Sequence, residues 1–191
     1  MEQILQRIPD HQAAIETLEG GRCAAVAIIF RPADVELELM VIKRATHASD
    51  PWSGQMGFPG GKIDPTDKDA RAAAEREVLE EVGLPLSSRE YVGRLDDILG
   101  IAAPIKPGVV LSPFVYRISS PGSLTLNREV AEALWVPLSR FSDPAFSIDF
   151  EQPRAPGTTM SAIRLSDNDQ HLLWGLSYRV MEAFWKAAGP A

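Results

Sequence analysis

The chain has 191 residues, of which 45% are hydrophobic and 24% are charged, and this length and composition suit one globular domain. With 26 acidic against 19 basic residues the net charge is −7, which argues against a nucleic-acid backbone as main partner because such binding needs clustered Lys and Arg. No apolar run approaches the roughly 18 residues of a membrane-spanning helix, so no membrane association is expected. The N-terminus lacks the basic start and apolar block of a secretory signal, which predicts a cytoplasmic protein.

The first part of the chain predicts a short extension followed by a β-hairpin. Residues 3–18 are loosely amphipathic and interrupted at Pro9, which predicts one or two short helices. We therefore expect an N-terminal helical extension over 1–21 and a main domain over 22–191. Two apolar runs, 23–30 and 36–44, predict strands that pair as a hairpin. The lone cysteine, Cys23, lies in the first run and is expected to be buried rather than nucleophilic.

The middle of the chain predicts a functional loop and then a helix. Residues 45–65 are rich in Pro, Gly, Asp and Ser, and a long loop inside a compact domain is usually functional. The next segment, 69–83, consists of good helix formers, with Asp67 or Asp69 as N-cap and Gly83 as C-cap.

The rest of the chain alternates between strand and helix patterns. Residues 90–98, 109–118 and 129–138 have strand or strand-helix character, and 167–189 predict a C-terminal helix that packs on a sheet. The fold class expected is mixed α and β.

The helix at 69–83 carries a concentration of carboxylates. Helical spacing places Glu77, Glu80 and Glu81 on one face. Like charges at this spacing destabilise a helix by about 0.2–0.5 kcal/mol per pair, so an opposing positive charge is expected. A hard divalent cation such as Mg²⁺ prefers such oxygen ligands.

The alternative interpretation is an ordinary solvated helix face. Arg71 with Glu75 and Arg76 with Glu80 would then form compensating i,i+4 ion pairs, and the helix alone favours this interpretation. The preceding Gly60–Gly61 changes the balance, because glycine lets the backbone approach a ligand and a carbonyl there adds an oxygen donor.

Residues 60–84, "GGKIDPTDKDARAAAEREVLEEVGL", resemble the Nudix box. The second half, Arg76 to Leu84, matches the box pattern fully. In the first half Asp67 occupies the usual Glu position, and the spacing from Asp67 to Arg76 is one residue longer than usual. The longer loop and the preceding "FPGGK" resemble the coenzyme A pyrophosphatase branch. The resemblance implies the Nudix fold, a mixed β-sheet sandwiched between helices, with the box as loop, helix and loop.

The resemblance also implies a metal-dependent hydrolase of a diphosphate bond. It implies Mg²⁺ or Mn²⁺ ligands at Gly61, Glu77, Glu80 and Glu81. Arg76 and Asp67 would orient these carboxylates and brace the loop. The catalytic carboxylates implied are Glu77, Glu81 and Glu129, with Glu77 as first choice for general base and Glu129 and Glu132 as alternatives.

The substrate that the resemblance implies is a small nucleoside diphosphate derivative, with coenzyme A first. The chain has Trp52 where coenzyme A hydrolases commonly carry His. Nucleotide sugars, ADP-ribose, dinucleoside polyphosphates and nucleoside triphosphates are alternatives within the class, and a nucleotide-sensing Nudix module without catalysis is the alternative from another class. An isopentenyl diphosphate isomerase would need a catalytic Cys, and Cys23 is remote from the box. Members of the superfamily often form homodimers.

Three further side chains have two interpretations each. Arg44, at the end of the second predicted strand, either binds phosphate or ends the strand in solvent, and we expect the latter. Trp52 and Phe58 either stack on a base or pack in the core, and packing is the more frequent outcome. The three histidines show no ligand spacing, so a zinc site is not expected.

Overall fold

The computed structural model of the protein describes residues 2–47, 52–100, 108–152 and 157–189. A 3₁₀ helix, Glu2–Asp10, precedes an eight-stranded mixed sheet in which β3, β2, β1, β7 and β5 are successive neighbours. The strands are β1 (Arg22–Pro32), β2 (Leu37–Arg44), β3 (Met56–Gly57), β4 (Gly60–Lys62), β5 (Tyr91–Arg94), β6 (Ile98–Gly100), β7 (Val109–Arg117) and β8 (Val130–Pro137). β1 runs parallel to β7 and antiparallel to β2 and β4, and β8 pairs with the other edge of β2. The predicted hairpin and the mixed fold class are confirmed.

Helices cover both faces of this sheet. Helix α1 (Ala70–Val82) packs on one face and α2 (Gly175–Ala188) packs on the other. β1 is buried on both sides because its residues alternate between the two layers: Ala25, Ala27 and Ile29 face α1, whereas Val26, Ile28 and Phe30 face α2. The alanines of β1 meet Ala73 and Ala74 of α1, so small side chains let this helix lie close to the sheet.

Helix α1 begins at Asp69, one of the two predicted N-caps, and ends at the predicted C-cap Gly83. The Asp69 side chain accepts a hydrogen bond from the Ala72 amide at 2.8 Å, which satisfies one of the free N–H groups at the helix start. Gly83 ends the helix at φ 70°, and its amide bonds to the Leu79 carbonyl. Local sequence therefore determines the exact length of the helix that carries the carboxylates.

The C-terminal helix is shorter than predicted. Leu172–Trp174 form strand β11, which pairs with β10 (Thr159–Arg164), and α2 begins only at Gly175. β10 also pairs with β9 (Ser147–Glu151) to make a separate three-stranded sheet that the sequence pattern did not predict. The apolar spacing of the segment fits a helix, but pairing with β10 satisfies its backbone instead.

Two other predictions need correction. Cys23 is exposed rather than buried, because the buried run of β1 begins only at Ala25. The predicted loop 45–65 contains the short strands β3 and β4. Within the described ranges, no helix has both the length and the apolar character needed to cross a bilayer.

Candidate active site

The acidic face of α1 lies against the glycine strand β4. Register pairs Gly60 with Val26 and Gly61 with Ala25 of β1, which places the backbone of β4 beside the helix. A Cβ atom built on Gly61 would lie 2.6 Å from the carboxylate carbon of Glu77 and 2.7 Å from both of its oxygens. The absence of a side chain at Gly61 is therefore what lets this carboxylate reach the backbone.

Glu81 is the most deeply buried of the predicted site carboxylates. Its side chain is 2% exposed, the Gly60 amide donates to Oε2 at 2.8 Å, and Nη1 of Arg44 lies 3.9 Å from Oε1. Burial raises the pKa of Glu81 to about 7, and the charges of Glu77 and Glu129 add to that rise against the opposing effects of Gly60 and Arg44. The expectation that Arg44 ends its strand in solvent is wrong, since its guanidinium faces a buried carboxylate.

Arg76 joins the loop to the carboxylate face. Its guanidinium donates to both oxygens of Asp67, at 2.9 and 3.0 Å, and to Glu77 at 2.9 Å and Glu80 at 3.2 Å. The same group also donates to the carbonyl of Lys62 at 3.2 Å. The hydrogen bond with Asp67 raises the pKa of Arg76 and lowers that of Asp67, so both groups remain charged as a two-pronged ion pair.

The loop before α1 is also held by its own side chains. Asp67 accepts from the Asp64 amide at 2.8 Å, while Asp64 accepts from the amide and hydroxyl of Thr66 at 2.9 and 2.7 Å. These short-range bonds stabilise a turn in this acidic loop, so Asp67 is oriented before it reaches Arg76.

Replacing Asp67 with asparagine is expected to lower turnover and Mn²⁺ affinity about 10- to 100-fold, the range found when a group that orients metal ligands is lost. An amide cannot accept two charge-assisted bonds from Arg76, so the orientation of Glu77 and Glu80 loosens. Steady-state kinetics and Mn²⁺ titration would measure the effect. Asp69→Asn serves as the control, because Asp69 bonds to the start of α1 rather than to Arg76 and asparagine caps a helix equally well, and equal losses in both variants would contradict a specific role for the Arg76 pair.

The other glutamates of α1, Glu75 and Glu80, are more exposed than Glu77 and Glu81. Glu75 accepts from the Tyr116 hydroxyl at 2.9 Å and pairs with Arg71 at 3.3 Å, so the predicted i,i+4 pair is present away from the glycine strand. Glu80 is 54% exposed and pairs with Arg76, the second predicted i,i+4 pair. The solvated-face interpretation therefore describes part of the helix, whereas Glu77 and Glu81 face the glycine strand.

The two later glutamates differ from each other. Glu132 binds Lys43 and His171, both at 3.0 Å, and the hydrogen bond from Lys43 lowers the pKa of Glu132. Glu129 is exposed. Its negative charge contributes to the raised pKa of Glu77, which burial causes in the first place. The charge of Glu129 therefore acts on a box carboxylate, whereas Glu132 is engaged with Lys43 and His171.

An open cleft of about 380 Å³ lies over this group. The residues that line it are Lys62, Asp64, Thr66, Arg76, Glu77 and Glu80. Within the part of the chain that the structure describes, no three His, Cys, Asp or Glu side chains converge as a ready metal-binding group.

Phe58 packs in the core, as expected, whereas Trp52 is 39% exposed and stacks with Arg22 at 5.4 Å.

Some contacts of the site could not be read from the sequence. The bond from Gly60 to Glu81 and the approach of Arg44 depend on how β4 and β2 lie beside α1. The engagement of Glu132 depends on the pairing of β2 with β8 and on a loop that ends at His171. The approach of Glu77 to the backbone of Gly61 did have a local signal in the sequence, because a glycine pair predicts that another group can come close to the backbone.

The sequence matches a family model and two uncharacterized proteins. A NUDIX domain model matches residues 21–154. The Escherichia coli protein named Nudix hydrolase NudL, itself uncharacterized, is 35% identical over 124 residues, which cover 62% of each chain. An uncharacterized protein of Schizosaccharomyces pombe is 38% identical over 105 residues, covering 53% of this chain and 32% of that protein. The match thus spans less than two thirds of the length of these relatives.

Solved structures agree on the fold. A MutT/nudix family protein from Enterococcus faecalis superposes with a TM-score of 0.60 at 15% identity, covering 93% of this chain and 65% of that one. The NUDIX domain of Shewanella oneidensis NrtR, solved with ADP-ribose, gives a TM-score of 0.51 at 19% identity, covering 65% and 76%. Since the family model covers well over half of the residues and contains the glycine strand and α1, the chain belongs to the Nudix family.

Proposed function

We propose that the protein hydrolyses a diphosphate bond in a small nucleoside diphosphate derivative with the help of a divalent cation. The observation that carries this proposal is the convergence of Glu77 and Glu81 on the backbone of Gly60 and Gly61. Glu77 pairs with Arg76 at 2.9 Å, but the buried carboxylate of Glu81 is costly to the fold unless a positive charge compensates it. Arg44, at 3.9 Å, is too distant for a direct hydrogen bond with Glu81.

The donor chemistry of this group fits Mg²⁺ or Mn²⁺. Carboxylates of Glu77, Glu80 and Glu81 and the carbonyl of Gly61 are the proposed ligands, all of them oxygen donors on a strand and a helix. A Cβ atom on Gly61 would fill the space beside the Glu77 carboxylate. The missing side chain thus lets the backbone of Gly61 lie next to Glu77, and this supports the assignment. A bound cation would neutralise diphosphate charge and lower the pKa of a water molecule.

Glu129 is proposed as the residue that accepts the proton of the attacking water. It is exposed, and its charge acts on both Glu77 and Glu81. Glu77, the other candidate, already receives a bond from Arg76 and lies against Gly61, which suits a fixed ligand better than a proton acceptor. Glu132 is less suitable because Lys43 lowers its pKa.

Replacing Glu129 with glutamine is expected to lower kcat about a hundredfold, as loss of a general base does, while Mn²⁺ affinity stays within about twofold. The carboxamide keeps the shape of the side chain but cannot accept the proton. The kcat and a Mn²⁺ titration should be measured together with those of Glu77→Gln, which is expected to weaken Mn²⁺ binding. If Glu129→Gln retains full kcat, the proton acceptor is another residue and Glu77 takes its place.

The proposed substrate is coenzyme A or a related nucleotide conjugate. The support is the resemblance of "FPGGK" and of the longer box loop to the coenzyme A pyrophosphatase branch. Trp52, at the position of the usual His, is 39% exposed, whereas Phe58 is buried. The division into an extension over 1–21 and a Nudix domain over 22–191 is also proposed, supported by the start of the NUDIX match at residue 21.

A substrate panel tests the function. Purified protein with Mg²⁺ or Mn²⁺ would be given coenzyme A, ADP-ribose, a nucleotide sugar, a dinucleoside polyphosphate and nucleoside triphosphates, with Glu81→Gln protein as the blank. Release of 3′,5′-ADP and phosphopantetheine from coenzyme A would support the full proposal. Cleavage of another member alone would keep the reaction and change the substrate. Tight binding of a nucleotide without any cleavage would identify a sensing module instead.

A further inference from the structure

The N-terminal segment, residues 2–21, lies beside one edge of the main sheet. β5 and β6 pair one after the other with the same side of β7, whose other side pairs with β1, and they therefore form an edge of the sheet. An edge presents backbone N–H and C=O groups that can pair with another chain. The amide of Asp97, in the turn between β5 and β6, donates instead to the carbonyl of Ala14 at 2.9 Å. The segment thus covers the edge at this turn.

The beginning of the segment is anchored in the core. Leu5 and Ile8 of the 3₁₀ helix are buried and belong to the core on the α2 side. Gly93 of β5 leaves room for this helix, because a Cβ atom there would lie 2.9 Å from Cγ2 of Ile8 and 3.0 Å from its carbonyl oxygen. The missing side chain at Gly93 therefore lets the helix lie directly against β5.

Two neighbouring aspartates hold the part of the segment that follows this helix. Oδ1 of Asp96 accepts from the Ala14 amide at 2.9 Å and lies 2.8 Å from Nε2 of His11. Oδ2 of Asp97 accepts from the Glu16 amide at 3.0 Å. Residues 12–17 are mostly exposed, so the aspartates, rather than apolar packing, attach this stretch to the domain.

The same two carboxylates also bind the rest of the domain. Oδ2 of Asp96 accepts from Nζ of Lys186 on α2 at 2.6 Å, and Oδ1 of Asp97 accepts from Nη2 of Arg94 at the end of β5 at 2.7 Å. Although Lys186 is mostly exposed, the side chains of Asp96 and Asp97 are only 14% and 2% exposed. These charge-assisted bonds are therefore partly shielded from water and stronger than those of a surface ion pair.

The hydrogen bonds keep Asp96 ionised down to low pH. Burial by itself would raise the pKa of this carboxyl, but the bonds from Lys186, the Ala14 amide and His11 lower it to about 2. Since this pKa lies below the ordinary value of 3.8, ionised Asp96 stabilises the fold above pH 3.8, and this contribution is lost as the pH falls through 2. The neighbouring carboxylate, Asp97, is paired with Arg94.

We infer that Asp96 and Asp97 clamp the N-terminal segment over the edge formed by β5 and β6, so that this segment is a fixed part of the fold although the family match begins only at residue 21. The alternative is an extension that is attached only through its buried 3₁₀ helix. Four hydrogen bonds between residues 11–16 and the two aspartates oppose release of the exposed stretch. The inference does not depend on the proposed function.

Asp96→Ala tests the inference, with Asp143→Ala as the matched control. Both changes remove a carboxylate that accepts a backbone amide at 2.9 Å, but Asp143 accepts from Ala145 within its own turn. Hydrogen exchange of the Glu16 and Asp97 amides, measured by NMR and expressed as protection factors, reports whether the segment remains on the edge. Thermal unfolding at several pH values reports whether the clamp stabilises the fold.

Asp96→Ala is expected to lower both protection factors at least tenfold and to lower Tm at pH 7 by about 5 °C. Its difference in Tm from wild type should shrink as the pH is lowered from 5 to 2, because wild-type Asp96 then becomes protonated. Asp143→Ala should leave both protection factors unchanged. Asp96→Asn keeps the shape of the side chain and should show the same losses at smaller size, so it decides the matter if Asp96→Ala does not fold.

Unchanged protection of the Glu16 and Asp97 amides in the Asp96 variants overturns the inference, because the segment would then stay on the edge without the clamp. Lost protection with a wild-type Tm also overturns it, because the segment would then contribute nothing to the fold. Neither readout requires catalysis. Absence of any substrate cleavage by wild type would thus remove the proposed function and leave this inference to be decided by exchange and unfolding.

Discussion

Glu81→Gln protein is expected to lose more than about a hundredfold in turnover while keeping its fold. This exceeds the 10- to 100-fold loss typical of groups that only orient metal ligands, because the change removes a proposed ligand itself. Glutamine can still accept the bond from the Gly60 amide, which Glu81 accepts at 2.8 Å. The kcat, Mn²⁺ affinity and circular dichroism of the variant would be compared with those of wild type.

The same variant should be more stable than wild type at high pH without metal. Burial raises the pKa of Glu81 in the folded protein to about 7 from its ordinary value of 4.5. A raised pKa means that protonated Glu81 stabilises the fold below pH 4.5, and that this contribution is lost as the pH rises through 7. The unfolding free energy of wild type should therefore fall relative to Glu81→Gln, by on the order of 3 kcal/mol between these pH values.

Denaturant unfolding in EDTA at several pH values measures this difference. Adding Mn²⁺ at pH 8 should return more stability to wild type than to the glutamine variant, because the variant lacks one of the proposed ligands and binds the cation more weakly. Unchanged turnover in the Glu81→Gln variant would contradict the assignment of Glu81 as a buried metal ligand. The assignment would also be contradicted if the difference in unfolding free energy between wild type and the variant did not change with pH.

Gly61→Ala is expected to lower turnover about a hundredfold with little loss of stability. The new Cβ would lie within 2.7 Å of the Glu77 carboxylate, so that carboxylate must move. Because it is the end of a flexible side chain, the movement costs the fold little, but a ligand displaced by about 1 Å is sufficient to cause such a loss of rate. Kinetics with Mn²⁺ and thermal unfolding would be measured together.

Gly60→Ala provides the matched comparison. Gly60 has φ +146°, and its Cβ would clash with the Ala25 carbonyl and lie 2.6 Å from Cα of Val26. These are backbone atoms of a central strand, so the clash cannot be relieved by a side-chain rotation. The Gly60 variant should therefore unfold at a much lower temperature, whereas the Gly61 variant should not. Equal stability losses at both positions would contradict the separate roles of the two glycines.

Local sequence determined the helix that carries the proposed metal ligands. Helix α1 could be predicted with Gly83 as its C-cap and with either Asp67 or Asp69 as its N-cap, of which Asp69 is the one used, because capping depends on residues within one turn. The i,i+4 pairs, such as Arg76 with Glu80, followed from helical spacing alone. The apolar runs also predicted the hairpin of β1 and β2.

Tertiary structure decided which of the carboxylates are buried and where the rest point. Glu81 is buried because β4 and Arg44 meet it, and Glu132 is withdrawn because β8 pairs with β2 and His171 reaches it from a loop. Neither arrangement has a local signal in the sequence. The two partners of Glu132, for example, lie 89 and 39 positions away from it along the chain.

The same reason explains the errors. Leu172–Trp174 became a strand because β10 was available to pair with it, and Cys23 is exposed because the buried part of β1 begins two residues later. Periodicity reports how a segment would bury its own apolar side chains, but not which distant backbone lies beside it. The residue types and spacing of the site were thus determined by the sequence. The burial, pKa and register of those residues were decided by pairing between distant segments.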